Sequence, residues 1–227
     1  MVYTTQDDLL YLSSRFSKTL KSRFGKGPET CYVVSQDNRL FIYIGNFMTP
    51  AEEVLVANNQ VNMANNFRAS VINVICKEFI NEASKTLGLK FHSCFHDWNY
   101  DTNKGIFIIE SNDIQSTDHK EVYFEKGLFE VMGRIISKVH KTPERFEILK
   151  WNQSVCVVEC REVLLSMDRY LFRQGYSDIL LEHSREMKTF LKSQKDQLKL
   201  VFNREVEDLF IIWDYEKDRS IIVFSLQ

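Results

Sequence analysis

Trp98-Asn99-Tyr100-Asp101 and Trp213-Asp214-Tyr215-Glu216 are one turn written twice, and their spacing decides the fold. From Trp98 to Trp213 is a displacement of 115 residues. The same displacement carries Lys104-Gly105-Ile106 onto Arg219-Ser220-Ile221 and Pro28-Glu29 onto Pro143-Glu144 without a gap. Turn residues meet turn residues and strands meet strands. A repeat of this kind marks one structural unit built twice. It predicts two domains, residues 1–111 and 119–227, joined by the polar run Ser111-Asn112-Asp113-Ile114-Gln115-Ser116-Thr117-Asp118.

Working outward from the turn, each half has the same elements. Leu9, Leu12, Phe16, Leu20 and Phe24 recur every three or four residues, which puts one apolar face on a first helix. Asp7 and Asp8 suit the positive end of its dipole, and Gly25-Lys26-Gly27-Pro28 stops it. In the second half Phe124, Val131, Ile135 and Val139 form the matching face, closed by Thr142-Pro143. Strands Cys31–Ser35 and Arg39–Gly45 then make a hairpin across Gln36-Asp37-Asn38, matched by Phe146–Lys150 and Ser154–Cys160.

Thr49-Pro50-Ala51-Glu52 reads as a helix start, with a capping hydroxyl, a proline at the first helical position and a glutamate to complete a capping box. The Asn-rich stretch 58–66 predicts a break before a long helix, Phe67–Leu87. Gly175-Tyr176-Ser177-Asp178 stands at the matching place, ahead of a helix over Asp178–Leu200. Hairpins Lys90–Asn99 with Gly105–Glu110, and Glu205–Asp214 with Ser220–Leu226, close the halves.

The order α-β-β-α-β-β, with short connections, predicts an α+β fold. Each half is a four-stranded antiparallel sheet with helices on one face. Phe41 and Tyr43 oppose Leu40, Ile42 and Ile44, so both faces of that strand are apolar. A sheet covered on one side only should alternate with polar residues. The expectation is therefore that the halves pack as a pseudo-dimer within the chain.

Composition narrows the functional classes. Among 227 residues the formal net charge is −2 and basic residues are dispersed, which argues against a nucleic-acid footprint. Apolar runs such as Leu40–Ile44 are too short to insert in a membrane, and Met1–Asp8 has no secretory-signal character. Five cysteines without framework spacing suggest reduced thiols and a cytoplasmic location. Cys76 reads as core, and Cys156 and Cys160 as buried free thiols.

His92-x-Cys94-x-His96 is the sharpest local pattern, because alternate strand residues share a face and present two imidazoles and a thiol as metal ligands. Its counterparts Glu207, Leu209 and Ile211 do not repeat that chemistry. Phe24–Pro28 lacks phosphate-loop spacing and follows a helix. The paired Trp–Tyr turns read first as caps on the core edge. No arrangement of residues recommends an enzyme, and no cofactor is indicated.

Gly25-Lys26-Gly27-Pro28, followed by a hairpin ending Ile44-Gly45-Asn46-Phe47-Met48-Thr49-Pro50-Ala51-Glu52, resembles the bacterial MpsC-type family. That family shows G-[RK]-G-P, a strand, and L-T-P-A-E before its second helix. Trp213-Asp214 through Val223-Phe224-Ser225-Leu226 is similar to its C-terminal strand pair. The second half departs, with His140-Lys141-Thr142-Pro143 and Leu164-Leu165-Ser166-Met167 in place of the motifs. The resemblance implies a tandem form with one diverged copy, and an accessory protein beside a sodium-translocating, membrane-potential-generating system. The expected function is a non-enzymatic interaction protein for a membrane cation (Na+) or bicarbonate transport system, with a transporter subunit as partner. Gly25, Lys26, Gly27, Pro28, Thr49, Pro50 and Glu52 are its candidate partner-binding residues. The alternative is a small-ligand or metal-binding sensor using His92, Cys94 and His96.

Overall fold

The structure is a computed structural model and describes residues 4–111 and 122–227. Apart from Ser111, the expected linker lies outside the described residues. The chain divides into two compact units, Met1–Asp118 and His119–Gln227.

In the first unit, α1 (Gln6–Phe24) is opened by a capping box between Thr5 and Asp8 and closed by Gly25 in the left-handed conformation, φ 77°. Strands β1 (Thr30–Gln36) and β2 (Arg39–Gly45) pair across a two-residue turn. Asp37 and Asn38 both have positive φ there, 50° and 57°, the turn geometry that matches strand twist. Helix α2 (Pro50–Ala57) leads to α3 (Val61–Leu87), then β3 (Phe91–Asn99) and β4 (Lys104–Ser111). The sheet order is β1-β2-β4-β3, so the two hairpins join through β2 and β4. Leu12, Phe16 and Leu20 of α1 and Ile72, Ile75 and Phe79 of α3 share one core with Leu40, Ile42, Phe107 and Ile109. Each such side chain contributes about 1.5–3 kcal/mol through burial.

The second unit repeats this plan with α4 (Glu125–Ile136), β5 (Arg145–Trp151), β6 (Val155–Arg161) and α5 (Ser166–Arg173). Next come α6 (Ser177–Ser193), α7 (Lys195–Phe202), β7 (Val206–Asp214) and β8 (Arg219–Leu226), with sheet order β5-β6-β8-β7. The fold is therefore two tandem α+β units, each a four-stranded antiparallel sheet with helices. As the strand patterns anticipate, residues on both faces of the central strands are buried, among them Phe41, Ile106 and Ile108, and Val157, Ile221 and Val223. No helix among the described residues is long and apolar enough to cross a membrane.

Three sequence expectations need correction. Helix α3 begins at Val61, not Phe67, because Ala64 and Arg68 already continue its inward stripe while Asn62 and Asn66 stay exposed. The break shrinks to a turn at Asn58–Gln60, where Asn59 has φ 59°. The single helix expected over 178–200 is two, divided at Gln194. Finally, Cys76 and Cys94 form a disulfide between α3 and β3, leaving Cys31, Cys156 and Cys160 as the free thiols. Cys76 lies on the inward stripe of α3 and Cys94 packs on the same core, so helix-on-sheet packing brings their Cα atoms to 5.9 Å.

Candidate functional site

The motif residues of the first unit converge at one end of the sheet. Gly25 ends α1, and the next residue, Lys26, sends its ammonium to the Met48 carbonyl at 2.8 Å, tying the Gly-Lys-Gly-Pro turn to the β2–α2 connection. Thr49 caps α2, and Glu52 closes the box through the Thr49 N–H (2.9 Å) and hydroxyl (2.7 Å). Thr49 and Glu52 are both buried, whereas Lys26, Pro50 and Ala51 are exposed.

A buried carboxylate is costly unless it is paired and hydrogen-bonded. Arg68, on α3, supplies the partner: its Nε and Nη2 each reach a Glu52 oxygen at 2.7 Å, and Nη2 also donates to the Phe47 carbonyl at 2.8 Å. The guanidinium lies 4.0 Å from the Trp98 ring centroid and 5.0 Å from that of Phe47, a cation–π enclosure. The Tyr100 hydroxyl sits 3.4 Å from Glu52, and burial raises its pKa to about 12. The repeated Trp–Tyr turn thus does more than cap the core edge, because it walls a buried ion pair. Gly105 opposite Trp98 is needed for this, since a Cβ there would lie 1.9 Å from the indole.

The His92, Cys94 and His96 expectation fails as a ligand set. A register shift between Phe91 and Ser93 interrupts the alternation at His92, which is exposed. Cys94 is committed to Cys76. His96 lies against Phe107, with ring centroids 5.5 Å apart, and burial drives its pKa down to about 4. The sequence pattern put three ligands on one face, but a bulge and a disulfide removed two of them.

In the second unit the acid of the capping box survives one residue later than the repeat places it. β2 ends at Gly45 and β6 at Arg161, a displacement of 116, and β5 carries a register shift between Ile148 and Lys150. Asp168 therefore stands at the third position of α5, as Glu52 does in α2, and accepts from the Leu165 N–H at 2.8 Å. Its side-chain partner is not arginine. His140, at the place of Gly25 in the 115-residue register, sets Nε2 3.1 Å from the Asp168 carboxylate. His183 on α6 joins them, and one ligand atom from each of the three residues lies within 4.8 Å of the others. Trp213 flanks His140 at 5.2 Å between ring centroids, with its indole N–H bonded to Ser184 at 3.0 Å.

Sequence reasoning missed Arg68, Asp168 and His183, and saw His140 only as a departure from Gly-Lys-Gly-Pro. The available signals were a single arginine in an Asn-rich helix start and a histidine where its counterpart has glycine.

Residues 10–112 match the protein family described as MpsC, Na+-translocating membrane potential-generating system. The first unit is similar to the MpsC-type family over that span. The MpsC-type match ends at residue 112, so it covers the Arg68 enclosure and stops short of the histidine pair. No curated protein matches the chain. Among solved structures, the tandem DUF26 ectodomain of the Arabidopsis thaliana cysteine-rich receptor-like protein PDLP8 aligns at 10% identity. It covers 99% of this chain and 94% of that one with a TM-score of 0.17, and carries no argument.

Proposed function

We propose that this chain is a non-enzymatic accessory protein of a membrane cation-transport system and binds a subunit of it. The observation that carries this reading is the match of residues 10–112 to the MpsC family, whose description names a Na+-translocating system. The motif residues have structural duties that support it. Thr49 and Glu52 are buried and hold α2 in place, so they position a contact surface and do not touch a partner. The surface they position comprises the Lys26 turn, Pro50, Ala51 and the apolar side chains Val54 and Met63, which are 60% and 56% exposed.

The test is co-purification from detergent-solubilised membranes of the source cell, using the full chain as bait. Recovery of a cation-translocating membrane subunit by the wild type, with at least a tenfold loss for Val54→Asp combined with Met63→Asp, supports the reading. Recovery of no transport subunit, or equal recovery by the variant, overturns it.

A further inference from the structure

We propose that His140, Asp168 and His183 form a binding site for one divalent transition-metal ion of the zinc type in the second unit.

The donor set is two imidazole nitrogens and one carboxylate oxygen, which suits Zn2+ with a fourth position left for water or another ligand. The three residues come from separate elements: His140 follows α4, Asp168 opens α5 and His183 lies on α6. Packing brings them together, and the grouping is not a by-product of adjacency in one loop.

Two features distinguish the cluster from a surface coincidence. The first is burial: the side chains of His140 and Asp168 are 1% and 8% exposed. Among the described residues, Asp168 pairs with no arginine or lysine, although the carboxylate at the same helical position in the first unit is held by Arg68. A buried carboxylate that meets no guanidinium or ammonium group among the described residues is a place where a metal ion can supply the compensating charge.

The second feature is the His140 ring itself. Nε2 faces the Asp168 carboxylate at 3.1 Å, close to the separation of about 3.3 Å between two donors bound about 2 Å from one tetrahedral ion. A metal seated between them takes the Nε2 lone pair in place of that hydrogen bond and leaves Nδ1 as the N–H of the ring, as imidazole ligation requires.

The experiment uses the full chain, made without an affinity tag and stripped by dialysis against a chelator. Zn2+ alone is titrated by calorimetry, and Co2+ alone by its visible absorption bands. The expected result is one equivalent per chain, with Zn2+ raising the thermal midpoint of the wild type. His183→Gln should weaken Zn2+ binding by more than about 100-fold, beyond what loss of a supporting hydrogen bond does. Asp168→Asn should act in the same direction. His183 lies on a partly exposed helix position, so its variant is expected to fold, and far-ultraviolet circular dichroism checks that. His92→Gln combined with His96→Gln serves as the control and should bind as the wild type does. Absence of stoichiometric binding by the wild type overturns the site. So does undiminished binding by folded His183→Gln, or loss of binding in the control alone.

Discussion

The same buried acid stands at the start of α2 in the first unit and α5 in the second, yet the two are neutralised differently. Glu52 meets a guanidinium that is charged at every accessible pH, clamped by two contacts of 2.7 Å and roofed by Trp98. Asp168 meets imidazoles, whose ring nitrogens are metal ligands as well as hydrogen-bond partners. The sheets and the Trp–Tyr turns are retained in both. What changed is the counter-charge, and with it the kind of chemistry each pocket supports. The two units share the scaffold of a buried acid at a helix start and differ in the side chains that face it. The unit with the fixed pair is the one that carries the MpsC match.

The largest expected effect tests whether the Arg68 clamp is confined to its own unit. Arg68→Met leaves Glu52 buried with no cation, which should cost about 3–5 kcal/mol. Amide hydrogen exchange read peptide by peptide should show the loss in residues 4–111, with 122–227 protected as before. Equal loss in both units would break the comparison, because it would mean that neither pocket is a local device.

Next in size is the disulfide, which has no counterpart in the second unit. Cys76 and Cys94 become Leu191 and Leu209 in the repeat register, both buried. Closing a loop with a sequence separation of 18 should contribute about 3 kcal/mol. A reductant should lower the urea midpoint of the first unit and leave that of the second unchanged. A shift shared by both units, or by neither, would contradict this.

A pH dependence follows from His96, whose counterpart is Ile211. Burial lowers its pKa from 6.5 to about 4, with Arg68 acting in the same direction and Asp97 against it. Between these values the unfolded chain binds a proton that the native ring refuses. Stability of the first unit is therefore complete above pH 6.5, falls on acidification to about pH 4, and changes no further on this account below that. The loss should be on the order of 2–3 kcal/mol, and His96→Phe should flatten the profile of the first unit. A profile unchanged by that substitution would remove His96 as the cause.

The smallest effect concerns the floor of the Trp98 enclosure. Gly105 pairs with Trp98, and Ser220 pairs with Trp213 at the matching place. Gly105→Ser should displace Trp98 from Arg68 at a cost of about 1–3 kcal/mol, the range for overpacking a filled site. Trp98 emission should shift as the ring moves. A neutral substitution would show that the close approach of glycine to the indole is not required.

Much of the fold was legible because it rests on local rules. The apolar stripe of α1, the Asp37–Asn38 turn, the Thr49 capping box and the paired Trp turns each follow from a few neighbouring residues. The places that misread are those where a distant contact overrode the local pattern. The Asn-rich start of α3 is helical because Ala64 and Arg68 are drawn into the core. The one-residue slip that saves Asp168 arises from strand pairing between β5 and β6, which an ungapped repeat does not register.

The candidate sites divide along the same line. From sequence alone, the repeat, the two-unit α+β plan and the family motifs Gly25–Pro28 and Thr49–Glu52 were determined, since periodicity, capping and turn chemistry are encoded within one element or its neighbour. Only the tertiary structure decided that Glu52 faces Arg68, that Cys94 belongs to Cys76 and not to a metal, and that His140, Asp168 and His183 meet. Pairing of charges, thiols and ligands depends on distances between elements, and those are set by how helices seat on the sheets, a quantity that no single stretch of the chain contains.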